Sequence, residues 1–247
     1  MPSESAAFFS VNGLAKHFGG IHAVEDLSFT LQRGEILGLI GPNGSGKTTT
    51  INMVTGALKP DGGSIEVEGA DMAGEPAHLY ARRGIARTFQ VPRLFRRMTV
   101  MENLIVPALS DASERRRAAE ERARGVLAFL RLEHLADHYA RALSGGQQKL
   151  LELGRALMLR PRLLLLDEPF AGVHPRLLDE IVGHIRSLNR DGHTIVLVDH
   201  NLDAVRSVVT RVLVMARGRK IADGAVSDVL RNPDVVRAYT GTRMGGP

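Results

Sequence analysis

Apolar positions along the 247-residue chain fall into two kinds of pattern, and each predicts a different element. Three short stretches are apolar almost without a break: Ile36 to Ile40, Leu163 to Leu166, and the segment HTIVLVDH that ends in Asp199 and His200. Runs of that length read as strands of a parallel sheet buried on both faces. Elsewhere the spacing is helical. Ile51, Val54 and Leu58 share one face of a helix that Pro60 stops, and a longer helix follows Ser144, Gly145 and Gly146. In the longer helix Leu150, Leu153, Gly154 and Leu157 stand at i, i+3, i+4 and i+7. Residues 99–140 read as mostly helical, with Leu127, Leu130 and Leu135 loosely periodic, and residues 226–247 as a small helical tail.

Composition adds bounds to this picture. The length suits one large domain with lobes, and 44% hydrophobic with 24% charged residues is ordinary for a soluble globular chain. No apolar stretch approaches the roughly 18–20 residues of a bilayer span. The first ten residues lack the basic and apolar regions of a secretory signal, so the chain is expected to stay in the cytosol. Zero cysteines exclude disulfides and thiolate metal sites. The net charge of +5 comes from arginine, since only five of the 32 basic residues are lysine. Its densest run, residues 113–124, mixes signs and pairs Arg116 with Glu120 and Arg117 with Glu121 at i, i+4. That reads as a solvated helix face rather than a nucleic-acid surface.

The chemistry begins directly after the first apolar run. Gly41-Pro42-Asn43-Gly44-Ser45-Gly46-Lys47-Thr48 is a full G-x-x-x-x-G-K-[ST] match between a strand and a helix, the context this phosphate-binding loop requires. Glycines let backbone N–H groups converge on phosphate oxygens where a Cβ would collide. Lys47 is placed to reach the β- and γ-phosphates of a nucleotide, and the Thr48 hydroxyl to ligate Mg²⁺. The second apolar run ends in Asp167 and Glu168 before Pro169, so its C-terminal end faces a ligand. Asp167 suits Mg²⁺, and Glu168 suits orienting the attacking water. His200 ends the third run, where it could bond a γ-phosphate or hold the acid, or serve as an ordinary surface histidine among nine. A second anion-binding helix start, at Ser144 to Gly146, is then unexplained: one nucleotide does not need two.

Lys47 and Asp167 lie 120 residues apart, too far for consecutive strands of one βαβ unit, so a largely helical segment is inserted between them. With that order and spacing the chain resembles the ATP-binding cassette (ABC) family over nearly its whole length. The resemblance implies an α/β P-loop NTPase (RecA-like) core with a mostly parallel sheet, an antiparallel β lobe and an inserted α-helical lobe. All of residues 1–247 would form one nucleotide-binding domain. The β lobe and core would take about 6–90 and 155–225, the helical lobe about 91–154 and the tail about 226–247. Phe18 in AKHFGG matches the aromatic that stacks on adenine, and Val24 the apolar residue beneath it. Gly41, Pro42, Asn43, Gly44, Ser45, Gly46, Lys47, Thr48 and Thr49 match the nucleotide-binding loop. Gln90 in GIARTFQ matches the glutamine that ligands Mg²⁺ with Thr48 and Asp167. Glu168, His200, Lys47 and Gln90 become the expected catalytic set. Ser144, Gly145, Gly146 and Gln147 match the signature sequence, which in this family caps the ATP held by a partner's loop, and that accounts for the second anion site.

The segment RTFQVPRLFRRMTVMENLIVP and the tail NPDVVRAYTG also look like the ATP-binding subunits of importers for branched-chain amino acids, amides, urea and similar solutes. This implies ATP and Mg²⁺ as cofactors, and membrane permease subunits plus a second ATP-binding subunit, identical or paralogous, as partners. An extracytoplasmic solute-binding protein would be an indirect partner, and no nucleic acid is expected. The place of work would be the cytoplasmic face of the inner membrane, peripherally bound. The permease would meet roughly Val91 to Val106. Three positions depart from the pattern: Val173 stands where the importers read Leu, His174 where they read Asn and the wider family Asp, and Asp199 where Glu is commoner. The alternative is a non-transport ABC ATPase acting on nucleic acid or the ribosome. Such proteins carry long heptad-repeat or zinc-binding insertions, or two cassettes in one chain. This chain has no sustained heptads, no cysteines and no internal repeat.

Overall fold

The computed structural model describes residues 7–109 and 116–240. The expected start of the β lobe at residue 6, residues 113–115 of the mixed-charge run and residues 241–247 of the tail lie outside the described residues. In chain order, an antiparallel hairpin of β1 (Phe9–Phe18) and β2 (Ile21–Leu31) precedes β3 (Ile36–Ile40) and α1 (Lys47–Met53). Next come β4 (Gly62–Val67), β5 (Ala70–Asp71), α2 (Ala77–Arg82) and β6 (Ile85–Arg87). Three helices are inserted there: α3 (Val100–Ala108), α4 (Arg116–Leu130) and α5 (Gly145–Leu157). The chain then runs through β7 (Leu163–Asp167), α6 (Pro175–Arg190), β8 (Thr194–Val198), α7 (Leu202–Val208) and β9 (Arg211–Ala216). It closes with β10 (Arg219–Ala225), α8 (Val226–Val229) and α9 (Pro233–Thr240).

The three unbroken apolar runs become β3, β7 and β8, all fully buried. They lie in a six-stranded sheet of order β10-β9-β3-β8-β7-β6, parallel except where β10 returns antiparallel to β9. Successive side chains on a strand point to opposite faces, and here both faces are covered. Ile36, Ile40, Leu164, Leu166, Ile195 and Leu197 join the core shared with the helices. Leu37, Leu39, Leu163, Leu165, Val196 and Val198 join the core shared with the second, antiparallel sheet, β2-β1-β4-β5. The architecture is therefore α/β, with a mainly parallel sheet, an antiparallel β lobe and inserted helices, as the motifs imply.

Two elements differ from the hydrophobic pattern. Helix α1 ends at Met53, short of Leu58. Gly56 takes a left-handed φ of +68°, and the N–H groups of Ala57 and Leu58 both turn back to the Asn52 carbonyl. Helix α5 is buried well beyond one face: Leu151, Glu152 and Ala156 join Leu150, Leu153 and Gly154, while Leu157 stays partly exposed. The helix is packed between α3 and α4 on one side and the core on the other. A Cβ on Gly154 would come within 2.9 Å of Leu104 and Leu130 side chains, so its absence sets that close packing. The expected helical stretch 99–140 is α3, α4 and two short 3-10 turns, Glu133–Leu135 and Ala140–Ala142. The two ion pairs read from spacing are present at the start of α4, Arg116 to Glu120 at 2.9 Å and Arg117 to Glu121 at 3.2 Å.

Candidate functional site

Everything singled out in the glycine-rich loop gathers at the C-terminal end of β3. The loop can bend there because Gly41 and Gly46 have no side chains. Their φ values are +151° and +104°, and a Cβ would strike the Met215 carbonyl at 2.2 Å and the Ala23 carbonyl at 2.4 Å. Lys47, the first residue of α1, curls over the loop and donates to the carbonyls of Gly41 at 2.8 Å and Pro42 at 2.9 Å. Burial pulls its pKa down while Glu168 and Asp167 pull it back up, so the ammonium faces two carboxylates. An open cavity of about 440 Å³ lies over the loop, lined by Asn43 to Thr49, Glu168 and Val198. Its far wall is Ile21, His22, Ala23 and Arg217, of which the sequence reading named none.

Phe18 stands at the rim rather than in the wall. It is 50% exposed and pairs across the β1–β2 hairpin with Ile21. Val24 is fully buried, with Cγ2 3.3 Å from the place a Gly46 Cβ would take, so it supports the loop from below.

The acidic pair ends β7. Asp167 is buried, its N–H donates to Thr88 Oγ1 at 3.2 Å, and its Oδ2 accepts from Arg87 at 3.3 Å. Burial raises its pKa and Arg87 opposes that rise. Arg87 also donates to Asn52 Oδ1 at 2.7 Å and Thr55 Oγ1 at 3.2 Å, so one guanidinium ties the end of α1 to Asp167. Arg87 belongs to none of the sequence motifs. A charge closing the short apolar strand β6 was the available signal.

Glu168 carries a left-handed φ of +48°, and Gln90 Nε2 donates to its Oε2 at 2.8 Å. His200 Nδ1 lies 3.8 Å from the same oxygen and 3.7 Å from Asp199 Oδ1. Asp199 is buried and accepts from the N–H groups of Phe170 and Asn201, both at 2.9 Å, so it ties the turn after Glu168 to the turn before α7. Gln90, Glu168 and His200, distant in sequence, are thus neighbours, and Glu168 among them lines the Lys47 cavity. His174 has its own task here: it caps α6, with Nδ1 accepting from the Arg176 N–H at 3.4 Å.

The four signature residues lie elsewhere. Ser144 caps α5 in a reciprocal box: its Oγ accepts from the Gln147 N–H at 3.3 Å, and Gln147 Oε1 accepts from the Ser144 N–H at 2.9 Å. Ser144 and Gly145 are exposed, Gly145 has open space where a Cβ would go, and none of the four lines the Lys47 cavity. Among the described residues no cluster of three His, Cys, Asp or Glu could hold a metal. Thr48, Gln90 and Asp167 instead offer a hydroxyl, an amide and a carboxylate.

Comparison with known proteins shows the family. The ABC transporter family model matches residues 24–171. The chain is 40% identical to the probable branched-chain amino acid transport ATP-binding protein LivG of Methanocaldococcus jannaschii, over 96% of this chain and 99% of that one. Against the high-affinity branched-chain amino acid transport ATP-binding protein BraF of Pseudomonas aeruginosa it is 37% identical, with the same coverage. A solved ADP conformation of an ATP-binding cassette of an ABC transporter matches with a TM-score of 0.87 and 37% identity, over 96% of this chain and all of that one. A dimeric post-hydrolysis cassette bound to ADP and Pi matches at 0.80 and 26% identity, over 88% of this chain and 98% of that one. From Val24 beneath the phosphate loop to Ala171 beyond the acidic pair, sequence and fold agree, and this chain belongs to the ABC transporter family.

Proposed function

We propose that this chain is the ATP-binding and ATP-hydrolysing subunit of a membrane importer for branched-chain amino acids or chemically related small solutes. The observation that carries this reading is the 2.8 Å bond from Gln90 to Glu168 at the edge of the Lys47 cavity. It ties a candidate water-orienting acid, which lines the cavity over the glycine-rich loop, to the segment leading into the inserted helices. The LivG and BraF relatives, named for branched-chain amino acid transport, supply the solute class.

In the proposed reaction ATP lies with its phosphates on the backbone N–H groups of residues 41–48 and on Lys47, and with its adenine toward Phe18. Glu168 orients and polarises a water for in-line attack on the γ-phosphate, held by Gln90 and flanked by His200. Thr48, Gln90 and Asp167 supply oxygen ligands, the donor set of a hard cation, so the residues fit Mg²⁺. When bound there it offsets phosphate charge. The exposed start of α5, with Ser144 to Gln147 turned away from the chain's own cavity, suits capping the γ-phosphate of a second cassette. Two ATPs then bridge the pair, and hydrolysis releases it.

No helix among the described residues is long and apolar enough to cross a membrane, and the relatives' role in transport points to membrane permease subunits as partners. Their docking surface is the segment after Gln90, where Val91, Phe95 and Met98 remain 75%, 44% and 38% exposed. The work is then done at the cytoplasmic membrane face, and a solute-binding protein meets the permease and not this chain. The test is a pull-down of tagged Glu168→Gln protein from detergent-solubilised native membranes with ATP and Mg²⁺. Recovery of polytopic permease subunits is expected. Recovery of nucleic acid or ribosomes without a membrane protein overturns the transport role.

A further inference from the structure

Helix α5 carries two ionisable side chains, Lys149 and Glu152, that reach the catalytic end of the sheet from the inserted helices. Lys149 Nζ donates to the Glu168 carbonyl at 2.7 Å and lies 3.5 Å from that of Pro169. Glu152, three residues on and so on the same helix face, accepts from the Arg93 N–H at 3.2 Å. With the bond from Gln90 to Glu168, these contacts close a ring. It runs from the Glu168 carboxylate to Gln90, along the backbone to Arg93, across to Glu152, back along α5 to Lys149, and into Glu168's own carbonyl. Phe89, next to Gln90 in the chain, has the guanidinium groups of Arg87 and Arg93 4.5 and 4.0 Å from its ring centroid.

The Lys149 end of the ring bears on the chemistry. Glu168 is a non-glycine residue in left-handed backbone, a conformation that persists only where its surroundings hold it. Its peptide is held on one side by the bond from its N–H to the Val198 carbonyl, at 2.7 Å, and on the other by Lys149. Lys149 is itself half-buried: burial lowers its pKa, while Asp199, Glu168, Glu152 and Asp167 raise it. A desolvated ammonium among four carboxylates, bonded to a carbonyl, is a fixed strut rather than a solvated surface charge.

We propose that Lys149 is a positioning residue for ATP hydrolysis. It locks the Glu168 peptide so that the carboxylate aims into the Lys47 cavity, and it couples that aim to the position of α5. This rests on the hydrolytic role proposed for Glu168. Its consequence is a link between two nucleotides. The first turn of α5 carries Ser144 to Gln147, which would meet the partner's ATP, and the next turn holds the chain's own acid. Engagement of one site is thereby felt at the other through a single rigid helix.

The test compares wild type, Glu168→Gln, Lys149→Met and Lys149→Arg, each as full chain purified with its membrane subunits. ATP Kd, KM, kcat and melting temperature are measured. Lys149→Met should keep the ATP Kd within about twofold and lower kcat by about 10- to 100-fold, the scale of a misaimed catalytic group. Lys149→Arg, which retains a donor, should recover most of that loss. A Lys149→Met enzyme with wild-type kcat, beside an inactive Glu168→Gln, overturns the positioning role alone. Loss of ATP affinity in step with kcat, with Lys149→Arg equally impaired, overturns it in favour of simple support of the fold. A wild-type complex as inactive as Glu168→Gln overturns the hydrolytic reading beneath it.

Discussion

The two helix starts in this chain that are suited to phosphate are finished to different degrees. At α1 the loop is braced by its own chain: Gly41 and Gly46 press against the Met215 and Ala23 carbonyls, and Lys47 rests on the Gly41 and Pro42 carbonyls. Buried β3 lies behind it and Glu168 in front. At the start of α5 the Ser144 and Gln147 side chains cap the helix by accepting from each other's backbone N–H groups, Gly145 faces open space, and a Cβ on Gly146 would strike Leu177. Both are helix N-termini with the same dipole, so the difference lies in what surrounds them. One borders an open cavity lined by its own chain, and the other, exposed at Ser144 and Gly145, is on the proposed reading completed by a second cassette.

The sharpest way to break that contrast is Lys47→Ala. Removing a half-buried ammonium that faces phosphate should raise the ATP Kd about 100-fold or more, the order of a lost buried charge contact. Titration with a fluorescent ATP analogue checks it, and unchanged affinity would move the nucleotide away from α1. Next in size is Arg87→Met, which leaves Asp167 buried without its cation and unties it from Asn52 and Thr55. A stability loss of roughly 3 kcal/mol is expected, read from the urea midpoint, and a loss below about 1 kcal/mol would show that the bridge is dispensable.

On the α5 side, Glu152 is pushed up to about 7, first by burial and against the pull of the Arg93 N–H, Arg155 and Arg93, with Lys149 also nearby. The folded state therefore holds its proton more tightly than the unfolded chain, whose value is near 4.5. This group makes stability fall as pH rises from about 4.5 to about 7, by roughly 1–3 kcal/mol in all. Glu152→Gln removes that dependence, so the melting temperature of wild type relative to the variant should drop across this window. Parallel curves would refute the shift. The smallest effect belongs to Ser144→Ala. Loss of the cap should cost about 1 kcal/mol and leave ATP affinity at the chain's own loop unchanged, while ATP-driven pairing weakens in analytical ultracentrifugation. A matching loss of ATP affinity in the monomer would place the start of α5 at the same nucleotide as α1.

Legibility in the sequence followed the range of the interactions. The bend of the glycine-rich loop could be read because its residues are contiguous and its backbone demands are local to Gly41 and Gly46. The strands β3, β7 and β8 could be read because burial on both faces leaves an unbroken apolar run. Arg87 and Lys149 could not, since their partners lie 80 and 19 residues away and meet them only once β6 and α5 have packed against β7. Glu152 looked like one more polar position on an amphipathic helix. Its burial depends on the Phe89–Arg93 backbone passing over it. The early end of α1 is the converse case, where a single Gly56 overruled a helical periodicity that Leu58 continued. The family resemblance supplied the order of the motifs, but it did not show which long side chains tie them together.

The order of the main sheet has a consequence for biosynthesis. Strand β3, which carries the phosphate loop at its end, is hydrogen-bonded on one side to β8 and on the other to β9. Both neighbours come from residues 194–216, while the loop itself is made before residue 50. A growing chain thus exposes Lys47 early, but the strands that brace it arrive only near the end of synthesis. Such long-range pairing is slow to form and leaves apolar strand edges uncovered in the meantime. Nucleotide capture is therefore a late event in the life of the polypeptide, and a truncated product ending before β8 would carry the complete phosphate-loop sequence without its binding function.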